Sequence, residues 1–279
     1  MSRLFAIALV LFVAGSAHAA EKKLDRTFTV SPGGTLVVDA DGASIHVTGN
    51  DSNQVIVHMV ARGSEKDLAK TKFEAVQKDG GVTVTLEKTT QSWFSWGGWS
   101  SEQEIEVTVP RHYVINARTG GGSVDLRDTM GAASLRTSGG DISAKNVVGN
   151  VELRTSGGLI QADTIRGDVD ADTSGGDVRL LQIDGKIRAN TSGGSVRCSL
   201  TGANRGISAT TSGGDIELSL PRGTAGNIDA TTSGGDISTD IPVTSTVLKE
   251  TDLVGTLNGG GERIYAHTSG GSIKVRAEN

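Results

Sequence analysis

Glycine recurs every nine residues through the middle of this chain, at Gly122, Gly131, Gly140, Gly149, Gly158, Gly167, Gly176, Gly185 and Gly194. Every second one closes a Thr-Ser-Gly-Gly or related run: RTGGG at 118–122, RTSGG at 136–140 and 154–158, DTSGG at 172–176 and NTSGG at 190–194. The repeat is therefore 18 residues long and has two unequal halves. A fixed period this short predicts a solenoid, in which each repeat buries its apolar face only against its neighbours.

The halves read as strands. After each of these glycines the second and fourth residues are apolar, as in Ile142/Ala144, Val151/Leu153, Ile160/Ala162, Val169/Ala171, Val178/Leu180 and Val196/Cys198, with mostly polar residues between them. Period-two alternation places one face of each strand inward. The expected fold is all-β: a two-sheeted parallel β-solenoid of 18-residue coils, right-handed by the chirality of strand crossovers. One corner carries Val147, Ile165 and Ile183, so apolar contact closes it; the other carries Thr137, Thr155, Thr173 and Thr191, whose hydroxyls can bond neighbouring rungs. A left-handed hexapeptide helix would repeat every six residues. A calcium-binding roll would alternate glycine and aspartate, whereas here Asp141, Asp177, Asp215 and Asp236 follow the glycine pair directly.

The register loosens later. Thr-Ser-Gly-Gly recurs at 211–214, 232–235 and 268–271. The last interval reads as two coils, the first degenerate around 240–266.

Solenoid ends expose unpaired backbone and need caps. Residues 20–110 read as a β-rich cap with strands at 35–39, 44–48, 55–60, 82–86 and 105–109 and one short helix: 64–77 starts like a helix, with Ser64 as its cap and Leu68, Phe73 and Val76 able to face one side. The segment ADGASIHV at 40–47 looks like a worn coil, which would place the first solenoid strands within the cap; the solenoid proper is assigned to 111–279, closed by the charged end KVRAEN.

Residues 1–19 read as a secretory signal peptide: the basic start MSRL, an apolar run and Ala17-His18-Ala19 as cleavage site. The mature chain would begin at Ala20, in the periplasm or at the cell surface, with no later stretch apolar enough to cross a bilayer. No cysteine follows the cleavage site, which argues against a lipid anchor. The one cysteine, Cys198, falls on an inward strand position, so packing rather than disulfides must stabilise the chain. Net charge is −5 with the signs interspersed, which gives no footprint for nucleic acid.

Four stretches resemble a known family: VPRHYVINARTGGGSV at 109–124, the T-S-G-G-D-I coils, SLPRGTAGNIDATTSGGDISTDIP at 219–242 and NGGGERIYAHTSGGSIKV at 258–275. Together they are similar to the bacterial putative-adhesin domain family, exported β-solenoids of largely unknown function. The resemblance implies this fold and an adhesive role, and carries over no binding residue.

Catalytic signals are missing from the sequence. The histidines beyond the signal segment, His46, His58, His112 and His267, have no metal-ligand spacing, no G-x-S-x-G elbow occurs, and outward carboxylates such as Glu152 and Asp170 read as a solvated face. The expectation is a protein that is not an enzyme and uses no cofactor or metal. Two features point to contact instead. Trp93, Phe94, Trp96 and Trp99 contain every tryptophan and lie between two expected strands, as a hairpin tip that either meets a partner or plugs the end of the core. Arg118, Arg136 and Arg154, each just before a corner threonine, would stack at about 4.8 Å and require an anion: a nearby carboxylate such as Asp172, or an envelope phosphate or acidic sugar. The expected function is a non-catalytic envelope module, an adhesin or scaffold, whose partner is an envelope protein, polysaccharide or lipid surface. The alternatives are a polysaccharide-acting β-helix enzyme, which needs an outward pair of carboxylates, and a self-assembling rod.

Overall fold

The computed structural model describes residues 20–89 and 102–278, which fall into two compact units divided between Gly131 and Ala132. The expected signal segment 1–19 lies outside the described residues. In each unit one set of half-coils forms a sheet, A, and the other set a second sheet, B.

Unit 1 contains β1 (Ala20–Thr29), β2 (Thr35–Ala40), β3 (Ser44–Asn50), β4 (Gln54–Gly63), helix α1 (Glu65–Ala69), β5 (Thr71–Lys78), β6 (Gly81–Lys88), β7 (Glu102–Pro110), β8 (Val114–Thr119) and β9 (Val124–Met130). Its sheet A runs β1-β4-β7-β3-β9 and its sheet B β5-β6-β2-β8. The coil β2–β3 comes first in the chain yet lies in the middle. β2 pairs in parallel with both β6 and β8, and β3 with both β7 and β9. The worn segment 40–47 is thus a true coil: Ala40 aligns with Thr119 and Ile45 with Val124, and the Thr119 hydroxyl donates to the Ala43 carbonyl at 2.8 Å. Antiparallel β1, β4 and β5 cover the outermost rung.

Two expectations for this unit change. The helix stops after five residues. Ser64 caps it, its Oγ accepting from the Asp67 N–H at 3.2 Å, but residues 71–78 are strand β5, so Phe73 and Val76 pair across a sheet. The reason is the following turn: Asp79 and Gly80 take φ of 51° and 78°, a two-residue hairpin that fixes Lys78 opposite Gly81. Strand β1 was not expected, because Lys22 and Arg26 interrupt its alternation. Lys22 runs its stem inward and donates from Nζ to the Thr71 carbonyl at 2.5 Å, above the Phe73 ring.

Unit 2 begins with six half-coils in strict succession: β10 (Ala133–Thr137), β11 (Ile142–Val148), β12 (Val151–Arg154), β13 (Ile160–Arg166), β14 (Val169–Asp172) and β15 (Val178–Asp184). It continues with β16 (Ile187–Asn190), β17 (Val196–Leu200), β18 (Ile207–Thr211), β19 (Ile216–Pro221), β20 (Gly226–Thr232) and β21 (Ile237–Thr239). The chain then ends with β22 (Thr244–Leu248), β23 (Asp252–Leu257), β24 (Arg263–Thr268) and β25 (Ile273–Glu278). Neighbouring coils are in register at 18 residues, as with Ile142 on Ile160 and Leu135 on Leu153.

Core volume is conserved between the sheets. Leu135 and Leu153 in sheet B accompany Ala144 and Ala162 in sheet A; further along, Ala171, Ala189 and Ala209 accompany Leu180, Cys198 and Leu218. All ten are buried to within 1% of complete. One large and one small residue per layer fill a thin core without strain.

The repeated glycine is a steric requirement. A Cβ on Gly176 would lie 2.0 Å from the Gly158 carbonyl oxygen, and one on Gly185 2.0 Å from that of Gly167, so both corners close only without side chains. The corner threonines are buried and bond in two directions. Thr173 Oγ1 donates to the Gly158 carbonyl (3.1 Å) and Thr191 Oγ1 to the Gly176 carbonyl (2.8 Å), while Thr191 also accepts from the Gly194 N–H of its own turn (3.3 Å). At the opposite bend Asn146, Thr164 and Gln182 hold φ of 55–60°, and this left-handed step turns Val147, Ile165 and Ile183 inward.

The end of unit 2 departs from the expectation of two successive coils. Strand β24 pairs in parallel with β18 on one side and β20 on the other, and β25 lies between β19 and β21. The final coil of the chain is therefore inserted between two earlier ones. In place of the degenerate coil expected around 240–266, β22 and β23 form an antiparallel hairpin, β23 pairs antiparallel with β20 to cover it, and residues 263–266 already belong to β24 of the inserted coil. Threonines follow this spatial order, Thr268 donating to the Gly214 carbonyl (2.8 Å) and Thr232 to that of Gly271 (2.7 Å).

Candidate binding site

The arginines expected to form a basic edge all point outward from sheet B, and each is paired. Arg118 forms a bidentate contact with Asp39, its neighbour on β2, which raises the guanidinium pKa above its ordinary value. Arg136 donates to Glu152 at 2.6 Å. Arg154 donates to the same carboxylate at 2.6 Å and lies 3.5 Å from both Asp170 and Asp172. The hydrogen bond from Arg154, then those from Ser134 and Arg136 with the Arg136 charge, hold the Glu152 carboxyl below its usual range. The anion these arginines need comes from the sheet itself.

Trp93, Phe94, Trp96 and Trp99 lie outside the described residues. The flanking strands nevertheless correct the hairpin expectation. β6 belongs to sheet B and β7 to sheet A, and they do not pair with each other.

Cys198 faces inward between Leu180 and Leu218, and burial pushes its thiol pKa up to about 12. A thiol so high is not a nucleophile. The corner aspartates serve the backbone: Asp141 Oδ1 accepts from the Leu159 N–H (2.8 Å) and Asp177 Oδ1 from the Ser195 N–H (2.9 Å). In unit 1 one row across sheet A alternates carboxylate and imidazole through Asp25, His58, Glu106, His46 and Asp125. Its close contacts are pairwise, 2.5 Å for Asp25–His58 and 3.2 Å for His46–Asp125. Among the described residues no group of His, Cys, Asp and Glu is spaced to hold a metal ion.

One site was not foreseen. The outer face of sheet A in unit 2 has a groove of about 340 Å³ lined by Arg179, Arg197, Lys274 and Arg276. Arg197 donates to Glu217 Oε2 at 2.6 and 2.9 Å, and Arg276 lies 3.3 Å from Glu217 Oε1. Glu217 is 20% exposed, whereas Arg197 and Arg276 are 60% and 55% exposed. A sheltered carboxylate thus fixes two guanidiniums that still face solvent. The groove exists because β25 lies beside β19, which puts Lys274 opposite Glu217. Aligning the T-S-G-G runs places Lys274 in one column with Arg197 and Glu217, a signal present in the sequence; that β25 is the spatial neighbour of β19 is not.

The profile of the Toastrack DUF4097 family matches residues 34–276. This chain belongs to that family. A crystal structure of a putative adhesin from Bacteroides fragilis is 14% identical, covers 91% of this chain and 97% of its own, and superimposes with a TM-score of 0.52, which shows a shared fold. Two Parabacteroides distasonis structures are also similar: a putative adhesin (11% identity, 91% and 97% coverage, TM-score 0.40) and a putative lipid binding protein (14%, 91% and 96%, TM-score 0.40). The chain matches no curated protein. Among the described residues no helix is long and apolar enough to cross a membrane. The Toastrack fold here is the expected all-β solenoid of two parallel-rich sheets.

Proposed function

We propose that this Toastrack protein is a non-catalytic binding module of the bacterial envelope, exported by residues 1–19 and acting in the periplasm or at the cell surface. The observation that carries this reading is how the coils divide their side chains. Inward positions hold apolar residues and threonines bonded to the neighbouring rung, while outward positions hold charged residues fixed in ion pairs such as Arg154–Glu152. Such a surface is a rigid display. Acid catalysis needs a carboxyl with a raised pKa, and Glu152 is held ionised; covalent catalysis needs a reactive nucleophile, and Cys198 is kept protonated. Trp93, Phe94, Trp96 and Trp99, which hold every tryptophan of the chain, are the aromatic contact in this reading.

The test uses tryptophan emission, because the only three tryptophans are Trp93, Trp96 and Trp99. The protein is titrated with peptidoglycan, envelope polysaccharide and lipid vesicles, and each polysaccharide is assayed for new reducing ends. A blue shift with one additive and no new reducing ends is the expected result. Release of reducing ends would overturn the reading in favour of a polysaccharide-cleaving enzyme.

A further inference from the structure

We infer that the groove on sheet A of unit 2 binds an acidic polysaccharide; the inference rests on the binding-module reading and names its site and partner class. The groove holds four cations, Arg179, Arg197, Lys274 and Arg276, and three carboxylates, Asp177, Asp215 and Glu217.

The carboxylates are already engaged. Asp177 and Asp215 each give Oδ1 to a backbone N–H of the next coil, Ser195 at 2.9 Å and Ser272 at 2.7 Å, and Asp177 Oδ2 lies 3.1 Å from Arg179. Glu217 gives one oxygen to Arg197 and the other to Arg276. The cations are not exhausted. Each guanidinium has five N–H donors and uses only part of them here, and Lys274 makes no ion pair among the described residues. Holding guanidiniums in place before binding reduces the ordering cost when an anion arrives.

The layout favours a chain over a single ion. Arg179 and Arg197 are register partners, followed by Glu217 and then Lys274, so the charges step along the coil stack at about 4.8 Å per rung. A polymer with a carboxylate or sulfate on successive sugars presents charges in the same linear fashion. The apolar residues beneath, Val178, Val196 and Ile216, are at most 1% exposed, and none of the large exposed hydrophobic residues lines the groove. That argues against insertion into lipid. No aromatic residue lines it either, so it lacks the stacking platform of a single-strand nucleic-acid site.

The experiment measures binding of the full chain to polygalacturonate, to neutral dextran and to vesicles of phosphatidylcholine with phosphatidylglycerol. Three variants accompany the wild type: Lys274→Glu/Arg276→Glu, Lys274→Glu alone, and Arg188→Glu on the opposite sheet as a control matched in charge to the single variant, each checked for an unchanged melting temperature. Expected is salt-sensitive binding to polygalacturonate and none to dextran, weakened roughly tenfold or more by the double variant and about twofold or less by the control. Lys274→Glu keeps the test open if the double variant is unstable, since Lys274 makes no ion pair among the described residues, and it should weaken binding in the same direction. Wild-type affinity in both groove variants, no binding to polygalacturonate, or a preference for the vesicles would each overturn the groove assignment. If the groove variants still retain an envelope fraction as well as the wild type does, the binding-module reading survives and this site falls; if wild type retains none, that reading falls too.

Discussion

The coils from β10 to β17 and the coils from β18 to β25 obey one local grammar and two different global orders. In both, threonine closes the corner by donating to a glycine carbonyl, the second glycine of the pair sits against the rung below, and two apolar residues per half-coil face inward. In the first set, chain order and spatial order agree. In the second, the last coil separates two that precede it. The repeat motif therefore encodes the geometry of a rung and not its neighbours. The coil of β24 and β25 fits between two earlier rungs as well as successive coils fit on each other, so the motif alone does not decide which rungs meet.

The difference predicts unequal costs. The largest effect is expected from a chain ended after Gly261, which removes β24 and β25. In a sequential stack this would trim an end; here it takes away a middle rung, so that β18, β19 and β20 each lose one of two neighbours and β21 loses its only one. We expect loss of cooperative folding of unit 2, a deficit of about 5–15 kcal/mol, comparable to the whole margin of a typical domain, read as rapid proteolysis of residues beyond 207. Excision of 155–172, one coil in perfect register, should instead leave a cooperative thermal transition.

A smaller cost follows inside the regular coils. Thr173→Val removes one donor to the Gly158 carbonyl and should destabilise by about 1–3 kcal/mol, measured by denaturant unfolding. Thr268→Val should cost at least as much, because the same bond to Gly214 holds the inserted coil. Equal, near-zero effects at both would show that the threonine column is not structural.

Two finer effects belong to the regular coils alone. Glu152 has its pKa lowered in the folded protein, so its contribution to stability is complete above the ordinary carboxylate range and is lost as pH falls through the lowered value. The melting-temperature gap between wild type and Glu152→Gln should be widest near about pH 7 and close toward about pH 3. A gap independent of pH would remove the ionised pairing with Arg154 and Arg136 as its cause. Thr164 is β-branched at φ 60°, where Asn146 occupies the equivalent bend at 55°. Thr164→Asn should stabilise by about 1 kcal/mol by relieving that strain.

The sequence made the rung legible because every feature of it repeats: glycine spacing, inward apolar pairs and corner threonines are each written many times. It made the Arg118–Arg136–Arg154 edge legible as a column and offered Asp172 as a nearby carboxylate, but not the main partners that neutralise it. Neutralisation depends on Asp39, which is 79 residues from Arg118, and on the orientation of Glu152 toward two arginines at once. Strand β5 was hidden because Ser64 and Leu68 do begin a helix, and only pairing with β6 across the Asp79-Gly80 turn overrides its continuation. The groove was hidden for the reason that separates the two halves of unit 2: Lys274 and Arg276 meet Glu217 only through the insertion of β25.

That insertion is most directly tested by cross-linking on the outer face of sheet B. Ser208 and Tyr265 are register partners on β18 and β24, whereas Ser208 and Asp229 are two rungs apart. A disulfide requires Cα atoms roughly 4.4–6.8 Å apart, which one rung of about 4.8 Å satisfies and two do not. Buried Cys198, its thiol held protonated, will not compete. Under mild oxidation Ser208→Cys/Tyr265→Cys should close completely and Ser208→Cys/Asp229→Cys should stay reduced. The opposite outcome would mean that the coils stack in chain order, and the groove of Arg179, Arg197, Lys274 and Arg276 would not exist.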